Sequence, residues 1–131
     1  MDIARIVDYE ARFPLDLWHP ATGETLGVRF LIRSLESDAA RAVTLRHMDE
    51  ASQLAIRGRS VEAATQVQWL AEKAAACVVS WDWGENKYRG ETPEYSRKAA
   101  EAMFREQVWM RDDVLGAAAN IANFIMPPQT V

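Results

Sequence analysis

The chain has 131 residues, 49% of them hydrophobic and 26% charged, which is the length of one domain with apolar content enough for an ordinary core and excludes a chain that stays disordered. Its 15 basic and 19 acidic side chains give a net charge of −4, without the basic excess that binding to a phosphate backbone requires, so no nucleic-acid partner is expected. A single cysteine cannot close an internal disulfide, which rules out a secreted disulfide scaffold and permits a reducing compartment.

At the start of the chain Asp2, Arg5, Asp8, Glu10 and Arg12 interrupt any apolar run of the length a secretory signal needs. The longest weakly polar stretch, Ala74 to Trp81, is less than half of the roughly 20 residues that span a bilayer. A soluble protein with no membrane partner is expected. Leu15–Trp18 and Val28–Ile32 flank a turn-rich stretch from His19 to Gly27 that holds Pro20 and Gly23. This pattern predicts a β-hairpin over about 15–35. Ser37-Asp38 then opens a helix that Gly58 stops near Arg57.

A second helix is predicted from Ser60, as cap, to Trp81, because Val61, Ala64, Val67, Leu70 or Ala71, Ala74, Cys77 or Val78, and Trp81 recur every three or four residues. The segment from Trp83 to Thr92, with Gly84 and Gly90, reads as a loop. Thr92 with Pro93 restarts a helix that reaches about Gln107, and a last helix runs from about Asp112 to Ile125 with Gly116 inside it. Pro127-Pro128 ends it, and 127–131 is read as a flexible tail. The expected architecture is mainly α with a small N-terminal β-hairpin: one domain whose helical part, about 37–125, holds three to four helices packed as a small bundle.

Chemistry-bearing residues are sparse. The chain has two histidines, His19 in the turn and His47 in the first helix. His47 with Cys77 is the sharp reading as a nucleophile-base pair, but a cysteine among Ala74, Ala75, Ala76, Val78 and Val79 reads as a small core hydrophobe. HxxxH, HExxH, CxxC and GxxxxGK[ST] are all missing, so no metal, cofactor or phosphate loop is implied. Asp49-Glu50 and Asp112-Asp113 are adjacent pairs, point to different helical faces, and read as solvated or capping groups. An enzyme is not expected.

The five tryptophans are more informative. Trp69 and Trp81 are expected in the core, whereas Trp83 and Trp109 read as aromatic anchors of an interaction surface. Phe124 lies about 100° around the helix from Ile125, so both cannot point straight into one core. A partner surface is therefore expected on the 83–92 loop and on the last helix near Asn120, Asn123 and Phe124, with the equal alternative that Phe124 folds back under the hairpin.

In order along the chain come Leu17-Trp18-His19-Pro20-Ala21-Thr22-Gly23-Glu24-Thr25-Leu26-Gly27-Val28, then Leu31-Ile32-Arg33-Ser34-Leu35-Glu36-Ser37-Asp38, then Val78-Val79-Ser80-Trp81 before a polar loop, and Ala119-Asn120-Ile121-Ala122-Asn123-Phe124-Ile125 near the end. This order resembles the tail assembly chaperones of long-tailed double-stranded DNA phages and prophage-like particles. Such proteins read P-x-T-G-x-x-L-G near the start, GW after the long middle helix and NF near the end; here Ser80 stands where that glycine would be. The resemblance implies a small, mostly helical, non-enzymatic protein of the host bacterial cytoplasm. It would bind the tape measure protein and keep it soluble while tail tube subunits polymerise. The tail tube protein and a second copy of the chain are further partners it allows. A different reading is a structural virion component, such as a head-tail connector or minor tail protein, that persists in the particle.

Overall fold

The computed structural model describes residues 1–126, and the expected helix stop at Pro127-Pro128 and the 127–131 tail lie outside them. The hairpin forms from β1 (Phe13–Trp18) and β2 (Thr25–Ile32), which pair antiparallel with Leu15 opposite Phe30 and an irregularity between Asp16 and Trp18. Alternation places Leu17, Val28, Phe30 and Ile32 in the core, while Asp16 and Arg29 meet on the outer face in a two-bond ion pair. The His19 ring caps the turn: its Nδ1 accepts the backbone N–H groups of Ala21 and Thr22.

α1 (Asp38–Ile56) follows, and Ser37 sits at its cap without making a side-chain cap bond. Glu10 takes that role from a distance, accepting the N–H of Asp38 at 2.8 Å. Gly58 ends the helix as expected, with φ +68°, and the N–H groups of Gly58 and Arg59 bond the carbonyls of Ala55 and Leu54. That nested pair of bonds is a Schellman closure, which needs the left-handed residue glycine supplies.

The principal departure from the expected bundle lies in the next segment. α2 (Ala63–Cys77) begins three residues after Ser60, with Glu62 at its cap. It stops at Cys77, where the chain becomes β3 (Val78–Asp82), which pairs antiparallel with β2. The sheet therefore has three strands in the order β1-β2-β3, one of them from mid-chain. Val78, Trp81 and the preceding alanines continue a helical period on paper. The β-branched pair Val78-Val79 suits a strand better, and β2 would otherwise leave Phe30 and Ile32 beside an unpaired edge. Trp81 consequently lies opposite Phe30 on a strand, not on the face of a helix, with the two rings 5.6 Å apart.

The extended segment before the third helix meets the outer side of β3 through two side-chain bonds. The Trp81 indole N–H donates to the Pro93 carbonyl at 2.9 Å, and the Tyr95 hydroxyl donates to the Val78 carbonyl. Pro93 therefore does not start a helix. α3 (Arg97–Glu106) is capped by Ser96, whose hydroxyl accepts from the N–H of Ala99. A break at Gln107 separates it from α4 (Val108–Ala119), so Asp112 and Asp113 lie within that helix rather than at its start.

α4 ends earlier than expected, at Ala119, and Ile121–Phe124 form a one-turn 3-10 helix. The Asn120 side chain accepts from the N–H of Ala122, and the Asn123 amide donates to the Ala117 carbonyl at 2.9 Å. That turn swings Phe124 under the hairpin, where it is buried and meets the Phe13 ring edge-on at 6.5 Å. The N-terminal segment clasps the same place: Asp8 N–H donates to the Phe124 carbonyl and Met126 N–H to that of Ile6.

Two measurements test this arrangement. Trp81→Ala removes a ring that touches Phe30, Trp83 and Tyr95 together with its hydrogen bond, and should cost about 3 to 5 kcal/mol in urea denaturation; a loss below about 1 kcal/mol would contradict it. Phe124→Ser should lower the melting temperature by about 10 °C or more, the scale of a core loss of a few kcal/mol in a domain of this size.

Candidate functional site

The residues expected to form one partner surface separate in space. Trp83 is only 7% exposed and Phe124 1%, so both are core side chains and neither is available as a surface anchor. Asn120 and Asn123 have structural work at the end of α4. Eleven residues of helix and turn, about 16 Å at 1.5 Å per residue, separate Asn120 from Trp109. The 83–92 loop is also fixed. Asn86 donates to the Leu26 and Trp83 carbonyls, and Tyr88 and Arg89 both donate to the Glu106 carboxylate. Gly84, at φ +57°, lets that loop approach β2 so closely that a Cβ would stand 3.2 Å from the Gly27 carbonyl oxygen.

The expected nucleophile-base pair does not form. Cys77 is fully buried at the end of α2, and burial pushes its thiol up to about 12 despite the cations of Arg33, Arg97 and Lys73. His47 is engaged elsewhere, stacked flat on Trp69 with centroids 4.5 Å apart and with Nε2 3.4 Å from a Glu72 oxygen. Arg46 also reaches Glu72, at 3.0 Å. Trp69 is half-buried and serves this stack rather than the central core. Among the described residues no group of three or more His, Cys, Asp and Glu is placed to hold a metal ion. No described helix is long and apolar enough to cross a membrane.

What remains is surface, in two places. The first is an arm. α1 contacts α2 and little else, so beyond His47 no residue of α1 is buried. Leu45, Met48 and Ile56 on α1 and Val67 and Leu70 on α2 are exposed; the spacing along the second helix includes Val67 and either Leu70 or Ala71, and Ala71 is the one buried. A groove of about 340 Å³ runs between the two helices, with Met48, Ala51, Trp69 and Leu70 among its walls and Gln66 and Lys73 at its rim.

The second place is a cleft of about 430 Å³ between the hairpin and α4, lined by Leu15, Asp16, Trp18, His19, Pro20, Trp109 and Asp113. Trp109, expected as an anchor, is half-buried and also lines a smaller apolar cavity of about 200 Å³ on the side of Leu17, Val28, Trp83 and Met110. Trp18 is 55% exposed. Burial, and after it the neighbouring Asp112 carboxylate, raises the Asp113 carboxyl above its ordinary value. Sequence reasoning missed Trp18 and Asp113 as companions of Trp109. Trp18 is far from it along the chain, and Asp113 reads as a helix start until α4 is seen to begin at Val108, which puts Trp109 and Asp113 one turn apart.

Comparison with protein-family models, with curated proteins and with solved structures yields no significant match.

The buried imidazole carries a pH signature. Desolvation is the largest influence on His47 and holds it below its ordinary value, the Glu72 carboxylate opposing this in part. The unfolded chain takes up a proton near pH 6.5 and the folded chain only at lower pH, so acidification through that window favours unfolding. Melting temperature should fall more between about pH 7.5 and 5.5 for the parent protein than for His47→Gln; equal slopes would contradict the assignment.

Proposed function

We propose that this chain is a phage or prophage tail assembly chaperone that binds the tape measure protein and keeps it soluble during tail tube assembly in the host bacterial cytoplasm. The observation that carries this reading is the arm. Met48 on α1 and Leu70 on α2 are exposed and line an open groove between the two helices, and Leu45, Ile56 and Val67 are exposed elsewhere on the same pair. A groove between two packed helices receives an amphipathic helix. A long helical tape measure exposes such apolar faces until something covers them. The ordered resemblance of the sequence to the tail chaperones supports the same reading, and the scarcity of catalytic groupings fits a protein that acts by covering surface. The partner surface moves accordingly from the end of α4 to α1 and α2. The tail tube protein and a second copy of the chain are the further partners of this reading.

Co-expression with a phage tape measure protein tests the proposal. The parent chain should keep the tape measure soluble. Leu45→Gln/Met48→Gln/Leu70→Gln should lower the soluble yield by about half or more while its own unfolding shifts by no more than about 0.5 kcal/mol per substitution. A soluble yield indifferent to the chain overturns the proposal, as does abundant chain in purified particles by mass spectrometry, which is the behaviour of a structural virion component.

A further inference from the structure

A different part of the molecule, the β1 edge and the cleft between the hairpin and α4, carries a second group of surface residues. The sheet order leaves the outer side of β1 as a free edge, and among the described residues no backbone or side-chain group hydrogen bonds to the backbone there. Such an edge offers a row of unpaired N–H and C=O groups to another strand. Pro14, which has no N–H, blunts its first part, so the open stretch is Leu15 to Trp18. The cleft between the hairpin and α4 lies along that stretch.

Two indoles and one carboxylate give the cleft its chemistry. Trp18 presents an exposed ring from the strand end, and the half-buried Trp109 lines the cleft from α4. Indole faces attract a guanidinium or ammonium group. The other carboxylates nearby are already paired: Asp16 is bonded to Arg29 by two contacts, at 2.8 and 3.3 Å, and Asp112 to Arg111 at 3.0 Å. Asp113 has no ion-pair or hydrogen-bond partner among the described residues. Of the two acidic groups lining the cleft, Asp113 is thus the one without a partner among the described residues, and a cation beside it would offset its repulsion by Asp112. The His19 ring adds no competing charge acceptor on its Nδ1 side, since that atom already accepts two backbone N–H groups.

We propose that the free edge of β1 and the cleft beside it bind an extended peptide segment, pairing its backbone with Leu15–Trp18 and seating an arginine or lysine side chain between Trp18 and Trp109 against Asp113. This site is separate from the α1–α2 groove and does not rest on the tail-assembly reading, so either can fail alone.

The test uses the full chain labelled with nitrogen-15 and three probes: the peptide acetyl-Val-Thr-Arg-Thr-Val-amide, the same peptide with citrulline for arginine, and acetyl-arginine amide. On titration the indole N–H signals of Trp18 and Trp109 should shift while those of Trp69 and Trp81 stay. The citrulline peptide should bind at least about fivefold more weakly, as loss of a cation over an aromatic face and beside a carboxylate predicts. Acetyl-arginine amide should also bind at least about fivefold more weakly than the peptide, because it lacks the strand. Trp18→Ala and Asp113→Asn change exposed side chains and should each weaken the arginine peptide while leaving the melting temperature in place. Equal binding of the citrulline peptide overturns the cation site, equal binding of acetyl-arginine amide overturns the strand addition, and absence of any shift at millimolar peptide overturns both.

Discussion

α2 is buried by its smallest side chains. Ala71, Ala74, Ala75, Ala76 and Cys77 have no exposed surface, and around them α1, α3 and α4 all make contact with this one helix. A helix edged with alanine lets neighbouring backbones come near without the cavities or clashes that mixed large side chains would produce. The bulk of the core is then supplied from outside α2, by Phe30, Ile32, Met103, Phe104, Met110 and Val114. α1, α3 and α4, and the start of β3, are arranged around that thin central rod.

The aromatic cluster depends on where the rod ends. Because the chain leaves α2 at Cys77 and continues as β3, Trp81 and Trp83 arrive beside Phe30, which also meets Phe104 at 6.1 Å. One ring of β2 therefore joins the hairpin, the mid-chain strand and α3. On the outer side of β3 the Trp81 indole bonds the Pro93 carbonyl and the Tyr95 hydroxyl bonds the Val78 carbonyl. The opposite edge strand, β1, runs beside the Trp18–Trp109 cleft.

The same arrangement divides the molecule into a covered body and an uncovered arm. The far half of α1 and the near half of α2 extend past the elements that bury the rest of α2, so apolar residues there keep exposed surface. Solvent-facing apolar residues in a group, as opposed to singly, mark a place where another molecule packs. On the body, by contrast, the terminal segments, the 83–92 loop and the end of α4 are held by specific hydrogen bonds. Residues that looked like free recognition groups, Asn120, Asn123 and Phe124, are used to turn the chain back under the hairpin.

Local signals were legible wherever a single residue type has a conformational reason to be there. The hairpin, the Gly58 stop, the loop after Trp83, the core placement of Cys77 and the existence of the helical stretches all follow from turn residues, caps and apolar periodicity in the sequence. The sequence by itself thus determined a fold rich in helix with an early hairpin. Tertiary structure alone decided that Val78–Asp82 is a strand, since a short apolar run fits a helix or a strand equally until a partner edge selects one. It also decided that Phe124 is core while Met48, Val67 and Leu70 are not. Periodicity names the apolar face of a helix, but whether that face is covered depends on whether distant segments reach it, and that is a property of the assembled chain.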